Sequence, residues 1–224
     1  MRALVRPALA EFTGTAFLVA AVVGSGIAAQ RLSPEDVGLQ LLENSLITGG
    51  VLIALILALQ TVSAAFNPVV TLVDVALGRV RGTDAGWLIA AQVAGGCVGA
   101  ILANSMFDLA AVNVSHHDRT GSNLWLAEVV ATLGLVLVIF ALVRTDRGHV
   151  VAYAVAGYIT AAYWFTSSTS FANPAVTVAR MLSDTFAGIA PGSVPGFVLA
   201  QVVGGALGYL LIRALFPVRE VVPS

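Results

Sequence analysis

The segment Phe66-Asn67-Pro68-Val69-Val70-Thr71 returns later in the chain as Ala172-Asn173-Pro174-Ala175-Val176-Thr177. Proline suits the first position of a helix, where its missing N–H would have no partner. Asparagine suits the cap before it, because its side-chain oxygen accepts from the first-turn N–H groups. One Asn-Pro is a turn or a helix start of no special note. Here two of them each open a short apolar piece, near 67–78 and 173–183. Such a piece reaches about 17 Å as a helix, half the depth of a bilayer.

Around these pieces lie six longer apolar stretches, approximately 8–28, 38–59, 86–106, 122–143, 149–168 and 195–216. Each approaches the ~20 residues that a membrane-spanning helix needs. The composition agrees, with 58% hydrophobic and 10% charged residues over 224 positions. A soluble domain carries about 25% charged residues, so most of this surface faces something other than water. A net charge of -1 gives no reason to expect nucleic acid. The lone Cys97 sits in an apolar segment and is read as a buried, inert thiol. Arg2 and Arg6 precede the first stretch as they would a signal peptide, but the run is long and Glu11 interrupts its start, so it is read as a retained span.

Six spans put both termini on one side. Arg2, Arg6, Arg79, Arg81, Arg144, Arg147, Arg213 and Arg219 then share that side, against Arg31, Arg119 and Arg180 on the other. Under the positive-inside rule both termini are cytoplasmic; the expected host is the cell (inner) membrane.

The chain reads as a single domain, 1–224, in two echoing halves, 1–110 and 120–224. Gln92-Val93, Gly95-Gly96 and Gly99 match Gln201-Val202, Gly204-Gly205 and Gly208, and Ala10-Glu11 matches Ala127-Glu128. Three spans per half is an odd number, so the second copy enters the membrane inverted, with a pathway expected at the interface of the halves. The Gly-x-x-x-Gly pairs read as close helix packing. Two half-helices starting at mid-membrane would then point Asn67 and Asn173 amides into one lumen. Irregular backbone at that depth is tolerated only inside protein or beside a water-filled cavity. Their converging positive ends would raise the cost for cations and for a proton-carrying water chain.

Glu11 and Glu128 need a reason to lie inside spans, where carboxylates are expensive. They are expected to accept from N–H groups of the loops that lead into the half-helices; a proton relay is the alternative.

The two Asn-Pro-(Val/Ala) boxes, the Ala-Glu openings and the Gln-Val-x-Gly-Gly segments resemble the major intrinsic protein (aquaporin) family over essentially the whole chain. The resemblance implies an all-α, aquaporin-like membrane protein with six transmembrane helices plus two half-length re-entrant helices in an inverted repeat. It also implies a pore in every protomer and a homotetramer. The stretch from Tyr163 to Arg180 is similar to a bacterial subgroup associated with arsenic-resistance gene clusters, whose members are thought to pass neutral arsenite. In water-selective members an arginine stands three residues past the second Asn, within an aromatic/arginine filter. Val176 occupies that position here, and the family register puts the other filter positions on Thr48, Ala161 and Ser170. None of the four is aromatic or charged, so the expectation is a wide, neutral filter. The loop Ser63-Ala64-Ala65-Phe66 also looks one residue short, and Val69 replaces the family's alanine.

Arg180, one turn past Val176, lines an outer vestibule or else complements the end of its half-helix. Asp74, at the equivalent place in the first half, reads as solvated or paired with arginine. His116-His117-Asp118 make a poor metal site and read as loop residues. No nucleophile–base pair, metal cluster or phosphate loop accompanies the spans, so neither catalysis nor a cofactor is expected. The implied partners are the lipid bilayer, water and a small neutral solute: arsenite or antimonite, then glycerol-like molecules. A water-selective pore and a secondary transporter are the competing readings.

Overall fold

A computed structural model describes residues 2–217; Arg219, counted above for topology, lies outside them. Eight α-helices are found among the described residues: α1 (Arg2–Leu32), α2 (Val37–Leu59), α3 (Pro68–Ala76), α4 (Gly82–Met106), α5 (Ser122–Arg144), α6 (Val151–Phe165), α7 (Pro174–Ala179) and α8 (Val194–Leu215). Five of them are long and apolar enough to cross a membrane. The shorter α6 has 15 residues and is extended by a 3-10 turn, Gly148–Val150. At their respective rises the two together reach about 28 Å, close to the hydrocarbon thickness of a bilayer.

This fifth span ends earlier than the expected 168. The chain leaves helix at Thr166 because it must turn back toward α7, and it does so through left-handed backbone at Thr169, Ser170 and Ala172 (φ 63°, 49° and 48°). The second half-helix is also shorter than the expected 173–183. It has six α-helical residues and continues as a 3-10 turn over Arg180–Leu182.

The most extensive packing is α1 along α4 and α5 along α8. Both crossings run through the paired glycines. Gly95 and Gly99 face the carbonyls of Phe12 and Ala16, while Gly204 faces that of Val129 and Gly208 the Val136 side chain. A methyl group at these places would overlap the facing helix, so the helices approach as closely as small residues allow. The half-helices seat the same way across the halves, with α7 against Gly96 of α4 and Val69 of α3 against Gly205 of α8. Large apolar side chains such as Phe17, Leu46, Trp87, Leu126, Trp164 and Leu199 are exposed on the outside. The outer face is thus apolar while Glu11, Gln92, Glu128 and Gln201 are fully buried, the inside-out polarity of an integral membrane protein.

Candidate functional site

The two Asn-Pro loops are built alike. Asn67 caps α3, its side-chain oxygen accepting from Val69 N–H at 3.0 Å; Asn173 caps α7, accepting from Ala175 at 3.0 Å and Val176 at 3.3 Å. The residue before each asparagine, Phe66 or Ala172, is left-handed with φ 48°. That conformation costs a non-glycine residue about 1–2 kcal/mol, so something must hold it.

The buried carboxylates hold it. Glu11 accepts from Ala65 N–H (2.8 Å), Phe66 N–H (2.7 Å), Gln92 Nε2 (2.8 Å) and the Ser63 hydroxyl. Glu128 accepts from Phe171 N–H (2.9 Å), Ala172 N–H (2.8 Å) and Gln201 Nε2 (2.6 Å). Each glutamine also donates to a threonine of the adjacent half-helix, Thr71 or Thr177, at 2.9 Å. Those threonine hydroxyls bond the carbonyls of Asn67 and Asn173 at 3.2 and 2.8 Å. Gln92, Gln201, Thr71 and Thr177 thus join the carboxylates, although their sequence pattern marked them only as repeats.

The loops also clasp each other. Asn67 Nδ2 donates to the Ala172 carbonyl and Asn173 Nδ2 to the Phe66 carbonyl, both at 2.7 Å. The amides are therefore not wholly free, as the sequence reading had them. One N–H of each is spent on the opposite loop, and a primary amide has two.

Both asparagines line one cavity of about 590 Å3. At the end nearer the termini its wall includes Gln60, Asp74, Arg79 and His149; Asp74 pairs with Arg79 at 2.9 Å. At the far end the wall is Thr48, Tyr163, Ser170, Phe171, Val176 and Arg180. Pro68, Val69, Pro174 and Ala175 are buried behind the lining rather than on it.

Two filter expectations are corrected. Ala161 is exposed on the outside of the bundle and does not reach the cavity. The lining stripe of α6 is Val151, Val155, Ile159 and Tyr163 at four-residue spacing, and position 161 lies on the opposite face. Nor is the far end free of aromatic and charged groups, since Tyr163 and Arg180 both line it. Thr48 donates to the Asn44 carbonyl at 2.8 Å, so the Tyr163 hydroxyl, 3.1 Å away, donates to Thr48. The Ser170 hydroxyl is buried without a protein partner. Tyr163 lies two residues past Ala161, and the four-residue stripe Val151, Val155, Ile159 leading to it was the available signal. Arg180 does not cap the last carbonyls of α7. Its Nε donates to the Ala187 carbonyl and its guanidinium stacks 3.4 Å from the Phe171 ring centroid.

The His116-His117-Asp118 stretch belongs to a loop clasped onto the segment after α7. His116 donates its N–H to Asp184 at 2.9 Å and places its ring Nδ1 3.1 Å from the same carboxylate. These bonds hold the Asp184 carboxyl below its ordinary range. Among the described residues no cluster of three metal-ligating side chains occurs.

A helical bundle of this polarity, with two half-length helices meeting beside one lined cavity, is a membrane channel of aquaporin-like architecture. The chain belongs to the major intrinsic protein family, whose model matches residues 2–151. It is 48% identical over 221 residues to "Aquaglyceroporin AqpS" of Rhizobium meliloti (strain 1021), spanning 98% of this chain and 94% of that one. The X-ray structure of the aquaglyceroporin from Plasmodium falciparum superposes with a TM-score of 0.71, covering 93% of this chain and 95% of that one at 20% identity. That likeness concerns the fold.

Proposed function

We propose that the chain is a passive channel for small uncharged hydroxylated solutes: glycerol-like molecules, arsenite or antimonite in their neutral hydroxide forms, and water. The observation that carries this reading is the cavity flanked by Asn67 and Asn173, each with one amide N–H left over from the clasp between the loops. A solute at mid-membrane exchanges hydration for these two donors. Residues 1–110 and 120–224 act as inversely inserted copies, so the half-helix starts converge there and their positive ends disfavour cations.

The solute class follows from the far end. Val176 leaves the third position past Asn173 without a charge, while Thr48, Tyr163 and Ser170 make the wall there partly polar. The name of the Rhizobium relative supports passage of glycerol, and the resemblance of residues 163–180 to arsenic-associated channels supports arsenite. The channel sits in the inner membrane with cytoplasmic termini, as a homotetramer.

Stopped-flow light scattering on proteoliposomes tests the proposal by comparing water, glycerol and arsenite permeability in one preparation. All three should exceed the lipid background and rise linearly with the gradient. Water flux without glycerol or arsenite flux would instead establish the water-selective reading, which Tyr163 at the far end favours. Saturating, ion-coupled uptake would establish a transporter.

A further inference from the structure

Arg180 is part of the wall at the far end of the cavity, and no residue of 107–121 or 183–193 lines it. A separate recess of about 320 Å3 is lined by Gln30, His116, His117, Asp184, Thr185 and Phe186.

The chemistry around Arg180 is unusual for a buried cation. Arg180 is 2% exposed and has no carboxylate within ion-pair distance among the described residues. Buried charges without partners are costly and seldom kept for stability alone. One face of the guanidinium lies on Phe171, and Arg119 stands 5.0 Å from the same ring. Of the five guanidinium N–H groups, Nε alone has a protein partner, Ala187. Arg180 nonetheless forms part of the cavity wall. The buried Ser170 hydroxyl lines the same end without a partner, and Tyr163, whose proton goes to Thr48, keeps lone pairs for accepting.

We infer that Arg180, with Ser170 and Tyr163, forms the outer selectivity site of this channel, one helical turn beyond the position where Val176 leaves the filter uncharged. The guanidinium donates to the oxygens of an entering neutral hydroxylated solute, and its fixed charge turns back cations. The wide filter read at Val176 is thus followed by a charged one. A unit charge about 4 Å from a passing cation, at an effective permittivity near 20, corresponds to a hundredfold or larger exclusion.

The inference rests on the channel reading, and the experiment separates their failures. Proteoliposomes of the wild type, R180A, R180M and R180K are assayed for glycerol flux by light scattering. Potassium and proton leak are read with internal dyes. Methionine keeps an apolar chain against Phe171, so R180M remains informative if R180A does not fold. The expected result is a wild type that passes glycerol and is tight to cations. R180A and R180M should leak at least tenfold faster, and R180K should restore tightness. R180A and R180M as tight as the wild type, with unchanged glycerol flux, would overturn the role of Arg180 alone. A wild type that passes no solute would overturn the channel reading itself.

Discussion

Replacing Glu128 by glutamine tests what the buried carboxylates do. Glu128 accepts three hydrogen bonds, from Phe171 N–H at 2.9 Å, Ala172 N–H at 2.8 Å and Gln201 Nε2 at 2.6 Å. Glutamine offers one accepting oxygen and one donating NH2. If the oxygen keeps Ala172 and Gln201, the NH2 faces the Phe171 N–H, donor against donor. A buried backbone N–H left unsatisfied costs about 1–3 kcal/mol, and bonds to a charged acceptor sit at the upper end. E128Q should therefore lose about 2–3 kcal/mol. For a chain of this size that is a fall in Tm of roughly 4–12 °C at 2–4 °C per kcal/mol. E128A, which removes all three acceptor contacts, should fall further. The assay is thermal unfolding in detergent, paired with glycerol flux at several pH values. In a structural role flux falls in step with the folded fraction, equally at every pH. An E128Q protein with unchanged Tm, whose flux has merely lost a dependence on pH, would refute this reasoning and establish a proton relay.

Four further outcomes are expected. N67A loses the α3 cap and leaves the Ala172 carbonyl without its donor, which should cost about 1–2 kcal/mol from the cap and lower glycerol flux; differential scanning calorimetry and light scattering read the two effects. G205A puts a methyl group onto the Val69 side chain and should destabilise the protein, whereas V69A in the same chain should restore it, as a double-mutant cycle in Tm would show. V176R should cut glycerol permeability far more than water permeability, because the added side chain crosses the far end of the cavity; equal losses for both solutes would remove the size argument. Asp184 is held below its ordinary range by the backbone and ring of His116, so its contribution to the loop clasp is complete above the unfolded value near 3.9 and lost as pH falls through the lower folded value. Amide exchange in residues 107–121 should therefore be insensitive to this group between pH 7 and 5, rise below about pH 4, and already be raised in D184N at neutral pH.

Much of the architecture was legible because the bilayer enforces it. A span needs a long apolar run, so the borders of α2, α4, α5 and α8 fall within a few residues of those read from hydropathy. Asn-Pro has a local meaning at a helix start, and Asn67 and Asn173 cap α3 and α7 accordingly. Buried carboxylates demand donors, which pointed to the loop N–H groups around Glu11 and Glu128. The early end of α6 was not legible, because it is set by the left-handed path through Thr169, Ser170 and Ala172, and the second half-helix leaves α geometry early for a 3-10 turn at Arg180–Leu182. Nothing local in three small polar or apolar residues announces positive φ; the loop adopts it only because Glu128 and Asn67 hold Ala172 from either side.

The wall of the cavity depends on a quantity the sequence carries less directly, the rotation of each helix about its own axis. One residue of slip turns a helical position by about 100°, so a register uncertain by one or two residues exchanges a lumen side chain for an outward-facing one. Ala161 and Tyr163 show the consequence, since two positions separate an exposed methyl group from the hydroxyl that closes onto Thr48. Arg180 shows the complementary case. Val176 and Arg180 are four apart, hence on one face, and a charge lost at the first position remains available at the second without any change of helix or loop. Helical periodicity therefore lets a filter shift its cation by one turn along the pore while Asn67, Asn173 and both carboxylate networks stay in place. Position in the motif and position on the pore are separate things, and the second governs which solutes pass.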